Sequence, residues 1–469
     1  MQTSSYIYLL LFIFALLYSK SALFWLYLWQ VKEYRLDRFF SEYGFLAKLL
    51  HFWFFSGGRK FHRPVFTVKA LVIYITSLLI ILGGIYGVLK FLFYGEFLNI
   101  WILIVGLLGL YLLVPLAVVL VMFLFQIPIL LAKNLIYKMA AARVNSLKNL
   151  TVIGITGSYG KSSTKEFLAQ ILEKKFKVIK TPKNINTEIG IAKFILQKLN
   201  PDDQVFIVEM GAYKKGEIKI ICDIVKPKIG MVTGINEQHL DLFKSFENII
   251  NTKYELIESL PKDGLAVFNG ENKYCLEMAE RWQGEKIVYN ATKYENLRIY
   301  ESLPKHYWLN LNAAIYTAKH LGMGDEETNE AVKDIKLTER MIKIFTGKNG
   351  ALIIDDTYSA NPAGVMAALD YLAEQKQKNK IIAMPCLIEL GSAAEDVHRR
   401  IGKRIAEVCS LALITTKDYF NIIKTEAGDK AVLAFKPEKV IELLKDKLNS
   451  DTAVLLEGRL ADSIVGFLK

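Results

Sequence analysis

Three long apolar runs near the start of the 469-residue chain restrict its fold more than any other feature. They cover about residues 5–29, 70–94 and 99–132. A helix needs roughly 20 apolar residues to cross a bilayer, so the first two runs each predict one transmembrane helix. The third run is longer than one crossing needs and contains Pro115 and Pro128. It predicts one helix with a kinked or interfacial extension, or a fourth crossing.

The basic residues predict how these helices are oriented. The formal net charge is +12, and Lys and Arg are concentrated in the connector 30–67 and directly after the third run, whereas the connector 95–99 has none. By the positive-inside rule, the first connector and everything after the third run lie in the cytoplasm. The prediction is therefore a protein of the cell membrane, in contact with membrane lipid, whose domains after the third run are cytoplasmic. The basic residues concerned are Lys32, Arg35, Arg38, Lys48, Arg59, Lys60, Arg63, Lys133, Lys138, Arg143 and Lys148.

Composition argues against two other classes of protein. The sequence after the apolar runs has no stripe of Lys and Arg interleaved with aromatic residues, so a nucleic-acid partner is not expected. The four cysteines have no CxxC spacing. This argues against a zinc site or a disulfide framework and fits a reducing compartment.

A glycine-rich loop between a strand and a helix begins the rest of the chain. "TVIGIT" is a β-rich apolar run, "GSYGK" is a turn, and Phe167, Leu168, Ile171 and Leu172 have helical spacing. This is the context of a phosphate-binding loop, in which backbone amides cradle phosphate, Lys161 reaches the terminal phosphates and Ser162 ligates Mg²⁺. ATP and Mg²⁺ are therefore the predicted cofactors. The predicted nucleotide contacts here are Thr156, Gly157, Ser158, Gly160, Lys161, Ser162 and Ser163.

This loop departs from the common phosphate-loop pattern, because Ile155 stands where the first glycine is expected. The alternative interpretation is a glycine turn before an ordinary helix. The Lys-Ser pair directly after the last glycine favours phosphate binding.

Further motifs follow in a fixed order. "KNINTEIG" occupies residues 183–190, the strand "VFIVEM" carries Glu209, and "MVTGINEQHLDLF" leads to His239, with Lys253 further along. Together with the glycine loop they resemble the Mur ligase family of ATP-dependent amide ligases. The likeness is closest to the branch that adds D-alanyl-D-alanine to a peptidoglycan precursor, and it covers roughly residues 148–469.

The resemblance implies roles for these residues. Asn186 and Thr187 would contact the substrate, and Glu209 and His239 would bind Mg²⁺. Lys253 would be carbamylated and would become a ligand of a second metal ion. Lys161, His239 and Lys253 are accordingly the predicted catalytic residues. Taken singly, His239 is more often a structural histidine and Lys253 a surface lysine on an amphipathic helix.

The resemblance also assigns nucleotide contacts further along the chain. Asn272, Asn312 and Arg340 would contact the nucleotide. The His-Asn pair that usually precedes the asparagine at 312 is replaced by Trp308 and Leu309.

The last third of the chain carries the string "DDTYSANP", in which a strand delivers Asp355 and Asp356 to a turn. The resemblance makes Asp356 a nucleotide contact and makes Tyr358 and Asn361 substrate contacts. "CLIELGSAAEDVHRRIG" resembles a further signature of this branch and includes Glu389 and His398. "LLEGRLADSIV" resembles the final strand and turn of the family but lacks the customary Lys-Gly-Ser.

The predicted architecture is an α-helical transmembrane anchor followed by an α/β region. The anchor covers residues 1–140, a P-loop, ATPase-like central domain covers 148–337, and a Rossmann-like C-terminal domain covers 338–469. Ordinary soluble members carry an N-terminal domain that holds the UDP-sugar end of the substrate, and here membrane spans take its place. The predicted partners are a peptidoglycan precursor and a D-Ala-D-Ala-like amine, joined through an acyl phosphate at the membrane surface.

Two alternatives stay open at this point. One is a membrane-bound ligase of the same family with another acceptor, such as a γ-glutamyl polymer. The other is a membrane-anchored ATPase or nucleotide sensor that does not ligate, which the loss of the His-Asn pair and the altered C-terminal motifs support.

Overall fold

A computed structural model describes residues 2–31, 34, 63–94, 100–182, 185–294, 297, 299–337, 342–357 and 360–469. Contacts divide the chain into two units, Met1–Asn134 and Leu135–Lys469.

The first unit is built from apolar helices. They are α1 (Gln2–Val31), α2 (Val68–Tyr94) and α3 (Ile100–Asn145). Within the described residues, these three helices are long and apolar enough to cross a membrane, as the sequence predicts. The run that left a fourth crossing open is one continuous helix with Pro115 and Pro128 inside it. At about 1.5 Å per residue, this helix is roughly twice as long as a bilayer core is thick.

Buried polar groups join the helices of the first unit. The Tyr18 hydroxyl donates a 2.7 Å hydrogen bond to the Leu107 carbonyl, which links α1 to α3. The hydroxyls of Ser19 and Tyr74 are 2.6 Å apart and link α1 to α2. Hydrogen bonds of this kind hold apolar helices together where lipid supplies no hydrophobic driving force between them.

The second unit begins with a parallel sheet whose strand order is β2-β3-β1-β4-β5-β6. Helices connect its strands, and the central strands read as continuous apolar runs because they are buried on both faces. The strands are β1 (Thr151–Thr156), β2 (Val178–Lys180), β3 (Val205–Glu209), β4 (Ile229–Val232), β5 (Leu265–Asn269) and β6 (Glu285–Tyr289). The helices are α4 (Lys161–Leu172), α5 (Glu188–Lys198), α6 (Glu217–Val225), α7 (Leu240–Phe243), α8 (Phe246–Glu258), α9 (Lys273–Arg281), α10 (Ile299–Ser302), α11 (Lys305–His320) and α12 (Asp325–Lys333).

A second six-stranded sheet follows, with the order β11-β10-β9-β12-β8-β7. Its strands are parallel except that β7 runs antiparallel to β8. The strands are β7 (Lys343–Thr346), β8 (Leu352–Asp356), β9 (Asn379–Met384), β10 (Leu411–Ile414), β11 (Ala431–Leu433) and β12 (Thr452–Glu457). The helices are α13 (Pro362–Ala373), α14 (Ala394–Val408), α15 (Phe420–Ala427), α16 (Pro437–Lys445) and α17 (Asp462–Leu468), with short 3₁₀ turns at Lys348–Gly350, Gly391–Ala393 and Gly428–Lys430. Two α/β sheets after an apolar helical region agree with the predicted fold class.

The last part of α3, from residue 135 onwards, belongs to the second unit. Ala140 and Val144 are buried in the core of the first sheet. The Arg143 guanidinium donates a 3.0 Å hydrogen bond to the Leu199 carbonyl at the end of α5. This helical segment is therefore an integral layer of the α/β region.

Candidate active site

Strands β1, β3 and β4 end together at one edge of the first sheet. β1 pairs in parallel with β3 on one side and with β4 on the other, so the direction of chain connection reverses at β1. Such a reversal leaves a crevice outside the carboxyl ends of the strands, where ligands of open parallel sheets bind. The loop Gly157–Gly160 lies at this crevice and leads into α4.

Two glycines in this loop cannot be replaced without strain. Gly157 and Gly160 have φ angles of 146° and 79°, a region that L side chains rarely adopt. A Cβ at Gly157 would lie 2.3 Å from the Thr233 hydroxyl, and one at Gly160 would lie 2.6 Å from Oδ1 of Asn310. The glycines therefore let the loop pack closely on its neighbours.

Hydrogen bonds from neighbouring segments fix the loop. The Ser158 hydroxyl accepts a 3.2 Å bond from the Asn236 amide, and the Thr233 hydroxyl donates to the Tyr159 carbonyl. The Thr156 hydroxyl is fully buried and donates to the Met210 carbonyl at 3.1 Å. Thr156 thus holds the base of the loop.

Lys161 folds back over the loop. Its ammonium donates to the carbonyls of Gly157 at 2.7 Å and Ser158 at 3.2 Å. Burial lowers the pKa of Lys161, while the negative charge of Glu209 acts in the opposite direction. A cation therefore lies directly against the turn that is predicted to hold phosphate.

Glu209, the last residue of β3, collects several donors. Its Oε2 accepts from the Ser162 hydroxyl at 3.0 Å and from the Lys165 ammonium at 2.9 Å. The Asn186 amide lies 3.4 Å from its Oε1. Burial acts to raise the pKa of Glu209, but Lys165 and Lys161 outweigh it and hold the pKa below its usual value. Glu209 is therefore a buried carboxylate that stays ionised.

A small pocket at the same edge brings together six predicted site residues, two of which are Gly157 and Ser158 of the glycine loop. Lys161, Asn186, His239 and Lys253 all line it, together with the glycine loop. Thr187 stands beside it at the N-cap position of α5, with its side chain making no capping hydrogen bond.

Lys253, in α8, points its ammonium into this pocket from a buried position. It is 4% exposed, and its Nζ lies 5.7 Å from the centre of the Phe243 ring. Burial, followed by the charge of Lys161, lowers the pKa of Lys253 to about 7, against the opposing charges of Glu217 and Glu255. The reading of Lys253 as a surface lysine is therefore wrong, because the packing of α8 encloses it.

His239 and its partner Glu389 both have a positive backbone φ, which is 65° for His239 and 62° for Glu389. Its Nδ1 lies 2.5 Å from Oε2 of Glu389, and its ring packs edge-on against Tyr213 with centroids 5.1 Å apart. The contact joins the first sheet region to the second. A left-handed backbone is costly for residues other than glycine. Two such residues at the contact between the sheet regions therefore indicate a functional constraint on the backbone there.

The second sheet contributes residues at its own carboxyl edge. Asp356, the last residue of β8, is partly buried, and burial with the neighbouring Asp355 raises its pKa to about 7. The Asn361 Oδ1 caps α13 through a 3.1 Å bond from Gly364 and accepts a 2.9 Å bond from the Asn236 side chain. Asn361 therefore bridges the two sheet regions. The predicted contacts Arg340 and Tyr358 lie outside the described residues.

The remaining predicted nucleotide contacts make internal hydrogen bonds. Asn272 caps α9 and donates to the Tyr159 hydroxyl at 3.3 Å and the Ile235 carbonyl at 3.0 Å. Asn312 is fully buried, and its amide contacts Tyr300 and the Asn290 carbonyl. Asn272 thus lies next to the glycine loop, whereas Asn312 has no exposed atom at the crevice.

Two residues of the site were not predicted from the sequence. Lys165 is 1% exposed and lies on a buried face of α4 with Leu168 and Ala169, three and four residues further along. Asn310 lies against Gly160, and its Oδ1 is 3.4 Å from the Thr164 hydroxyl. Nothing in the sequence distinguishes Asn310 from other polar residues of α11.

The chain is similar to known proteins. Residues 155–337 match the family described as Mur ligase middle domain, and residues 339–460 match the Mur ligase, glutamate ligase domain. The UDP-N-acetylmuramoyl-tripeptide–D-alanyl-D-alanine ligases of Synechocystis sp. and Bacillus subtilis are 32% and 28% identical over 57% and 54% of this chain. The crystal structure of MurF ligase from Thermotoga maritima in complex with ADP superimposes with a TM-score of 0.63, at 23% identity, over 71% of this chain and 83% of its own.

The family models match residues within the α/β region. The matched segment spans 62% and 60% of the Synechocystis and Bacillus relatives, so the chain spans about three fifths of their length. The two domain matches together cover residues 155–460 almost without interruption. The chain belongs to the Mur ligase family.

Proposed function

We propose that this chain is an ATP-dependent amide ligase that adds D-alanyl-D-alanine, or a similar amine, to a peptidoglycan precursor peptide at the cytoplasmic face of a membrane. In the proposed reaction a substrate carboxylate is activated as an acyl phosphate, and an amine then displaces phosphate to form the amide. Relatives that carry the name of this activity support the proposal.

The observation that carries the proposal is the convergence of three cationic or metal-binding side chains on one pocket. Lys161, His239 and Lys253 come from separate segments of the first sheet region and line the same space beside the glycine loop. Positioning and charge neutralisation supply most of the catalysis of phosphoryl transfer. A pocket of this composition is suited to that work.

The loop and Lys161 would hold the phosphate end of ATP, as in a P-loop. Amides at the start of α4 and the helix dipole favour negative charge there. The Lys161 ammonium would turn from the carbonyls of Gly157 and Ser158 to phosphate oxygens and neutralise charge that develops during transfer.

The residues beside the loop fit Mg²⁺. The Ser162 hydroxyl and the Glu209 carboxylate are hard oxygen ligands that already lie 3.0 Å apart, and Glu209 is held ionised. His239 would complete the set through Nε2, because its Nδ1 faces Glu389. When bound, Mg²⁺ supplies positive charge next to the phosphate oxygens.

Lys253 is proposed as a carbamylated lysine. Its enclosed ammonium forms no hydrogen bond within the described residues, and burial favours the uncharged amine with which CO₂ reacts. The amine nitrogen adds to CO₂ and releases one proton, which leaves an anionic oxygen in the pocket. We expect intact-protein mass analysis under CO₂ to find an added 44 Da that Lys253→Arg lacks; an unchanged mass in the parent protein would contradict the carbamate.

The two sheet regions would close on substrate through contacts they already share. Asn361 is bonded to Asn236, and Glu389 is bonded to His239. The C-terminal region is proposed to have a Rossmann-like fold and to present the amine. Asn186 and Thr187 at the start of α5 are proposed to hold the acceptor peptide, with Tyr358 and Asn361 on the opposite side.

The membrane placement rests on α1, α2 and α3, which are long and apolar enough to span a bilayer. Together with the distribution of basic residues, they favour an acceptor handled at the cytoplasmic membrane surface, where a lipid-linked precursor is available.

A ligation assay tests the proposal. The full chain, reconstituted in nanodiscs, is incubated with ATP, Mg²⁺, UDP-linked or lipid-linked tripeptide, and either D-alanyl-D-alanine or glutamate. We expect a product whose mass includes D-alanyl-D-alanine and ADP release that depends on both substrates. Faster turnover of the lipid-linked acceptor would support the membrane role, and equal rates would contradict it.

The same assay separates the alternatives. A product that contains only glutamate would indicate another acceptor, and ATP turnover without any amine would indicate a non-ligating ATPase. Lys161→Met should abolish turnover in every case, so it serves as a background control.

A further inference from the structure

Glu457, at the end of β12, is an unexplained buried acid. It is 0% exposed, and neither of its carboxylate oxygens has a hydrogen-bond partner within the described residues. Burying a polar group without a hydrogen-bond partner destabilises the folded state. The strand could end in an apolar residue at no such cost, so this carboxyl group requires another explanation.

A second carboxyl group lies beside it. Glu457 and Asp356 are paired in register on the neighbouring parallel strands β12 and β8, so their side chains leave the same face of the sheet. Burial and the charge of Asp356 raise the pKa of Glu457 well above its usual value. Asp356 is only partly buried, so it connects the enclosed acid to the outside.

The pair lies where the two sheet regions meet. Tyr307, at the start of α11, is close enough that the charges of Asp356 and Glu457 add to burial in raising its pKa. The Tyr307 ring packs edge-on against Phe167 of α4 with centroids 6.4 Å apart, and its hydroxyl accepts a 3.0 Å bond from the Ile342 amide. The acid pair is therefore next to the helix that begins at the glycine loop.

No cation balances the pair in the described part of the chain. The charge of Asp355 adds to burial in raising the pKa of Asp356, and its Oδ1 accepts from the Thr357 amide and hydroxyl. The contrast with Glu209, which has Lys165 at 2.9 Å, shows that this fold supplies a cation to a strand-end acid elsewhere. Two adjacent acids without a cation form a receptor for a positively charged group.

We propose that Asp356 and Glu457 bind the ammonium group of the amine donor and accept its proton. This inference rests on the proposed ligase function, and it replaces the nucleotide contact predicted for Asp356. One N–H proton passes from the donor ammonium to the carboxylate of Asp356, the partly exposed member of the pair. The free nitrogen lone pair then forms the C–N bond as the bond from the acyl carbon to phosphate oxygen breaks, and the second proton leaves with phosphate or with the pair.

Donor binding tests the inference without requiring turnover. The full chain in nanodiscs, with a non-hydrolysable ATP analogue, is titrated calorimetrically with D-alanyl-D-alanine and with N-propionyl-D-alanine, which lacks only the amino group. We expect the ammonium form to bind about tenfold more tightly, since a charge-assisted contact is lost in the analogue. In Glu457→Gln and Asp356→Asn the two ligands should bind about equally. Asp370→Asn, which removes an exposed carboxylate of α13, should keep the preference of the parent protein.

Steady-state kinetics provide the second measurement. Glu457→Gln should raise the KM for the amine about tenfold or more and leave the KM for ATP within about twofold. An unchanged ligand preference in the variants would overturn the inference. A rise confined to the KM for ATP would also overturn it, because the pair would then be a nucleotide contact. If the parent protein binds the ammonium form preferentially but ligates no donor, the proposed ligase function is refuted, whereas the ammonium site is supported.

Discussion

Glu209 and Glu457 occupy equivalent places in the two sheets but have opposite surroundings. Each is the last residue of an internal parallel strand, and they are 6% and 0% exposed. The carboxylate of Glu209 accepts hydrogen bonds from Ser162 and Lys165, and its pKa lies below the usual value. Glu457 has Asp356 beside it, and its pKa is raised well above the usual value. Strand position therefore fixes where an acid lies, whereas residues from other segments fix its charge.

The largest expected effect comes from removing the cation beside Glu209. Lys165→Met would remove the ammonium that bonds the buried Glu209 carboxylate and leave Lys161 as the remaining nearby cation. Because breaking one side of a buried ion pair strands the other charge, we expect a loss of about 3–5 kcal/mol in the free energy of unfolding. Chemical denaturation at pH 7.5 measures it.

Lys174→Met is the matched control, since its pair with Asp334 is about half exposed on each side. It should cost less than about 1 kcal/mol. Equal losses in the two variants would show that the buried pair contributes no more to the free energy of unfolding than the exposed pair.

A smaller effect, of opposite sign, is expected at the unpaired acid. Glu457→Gln should increase the free energy of unfolding by about 1–3 kcal/mol near neutral pH, because the folded state keeps the Glu457 carboxyl protonated where the unfolded carboxyl ionises, a cost that the glutamine amide does not carry. The unfolded carboxyl ionises near pH 4.3, whereas the folded one stays protonated to higher pH. Between these values the folded state binds more protons, so the parent protein loses stability as the pH rises.

Unfolding measured from pH 5 to 8 should therefore show an advantage of Glu457→Gln that grows with pH. Asp356, with a raised pKa of about 7, contributes a change of the same sign that levels off above that value. Glu407→Gln, at an exposed position of α14, is the control. Parallel stability curves for Glu457→Gln and the parent protein would contradict the unusual protonation of Glu457.

The smallest effect is expected at the contact between the two sheet regions. The side chains of His239 and Glu389 are 28% and 41% exposed, so Glu389→Gln should change the free energy of unfolding by less than about 1 kcal/mol. We expect instead a higher KM for the amine donor, because the contact holds the C-terminal region near the pocket. A stability loss as large as that of Lys165→Met would show that the contact of Glu389 with His239 mainly stabilises the fold.

Much of the fold follows from local pattern. The apolar runs predicted α1 and α2, and alternating strands and helices predicted the two α/β sheets. The glycine loop was identifiable because Gly157 and Gly160 are needed for left-handed backbone at a close approach. Such features depend on a few neighbouring residues, which a sequence displays directly.

Features that depend on distant segments were not predictable. Lys165 and Glu209 are far apart in sequence, and only the parallel pairing of β1 with β3 brings them together. The burial of Lys253 requires the packing of α8 against the sheet, and the pairing of Asp356 with Glu457 requires the order of β8 and β12. The enclosed position of Asn312 depends on the carbonyl of Asn290, which a motif comparison cannot supply.

The buried end of α3 has a practical consequence for preparing a soluble enzyme. A truncated protein starting at residue 148 would lose Ala140 and Val144 and would expose Ile191 and Ile195, which share their core. Such a fragment should aggregate on expression, whereas one starting near Leu135 keeps the helical layer and the Arg143 bond. The boundary for recombinant work therefore lies inside the long helix, upstream of the point where the sequence first looks globular.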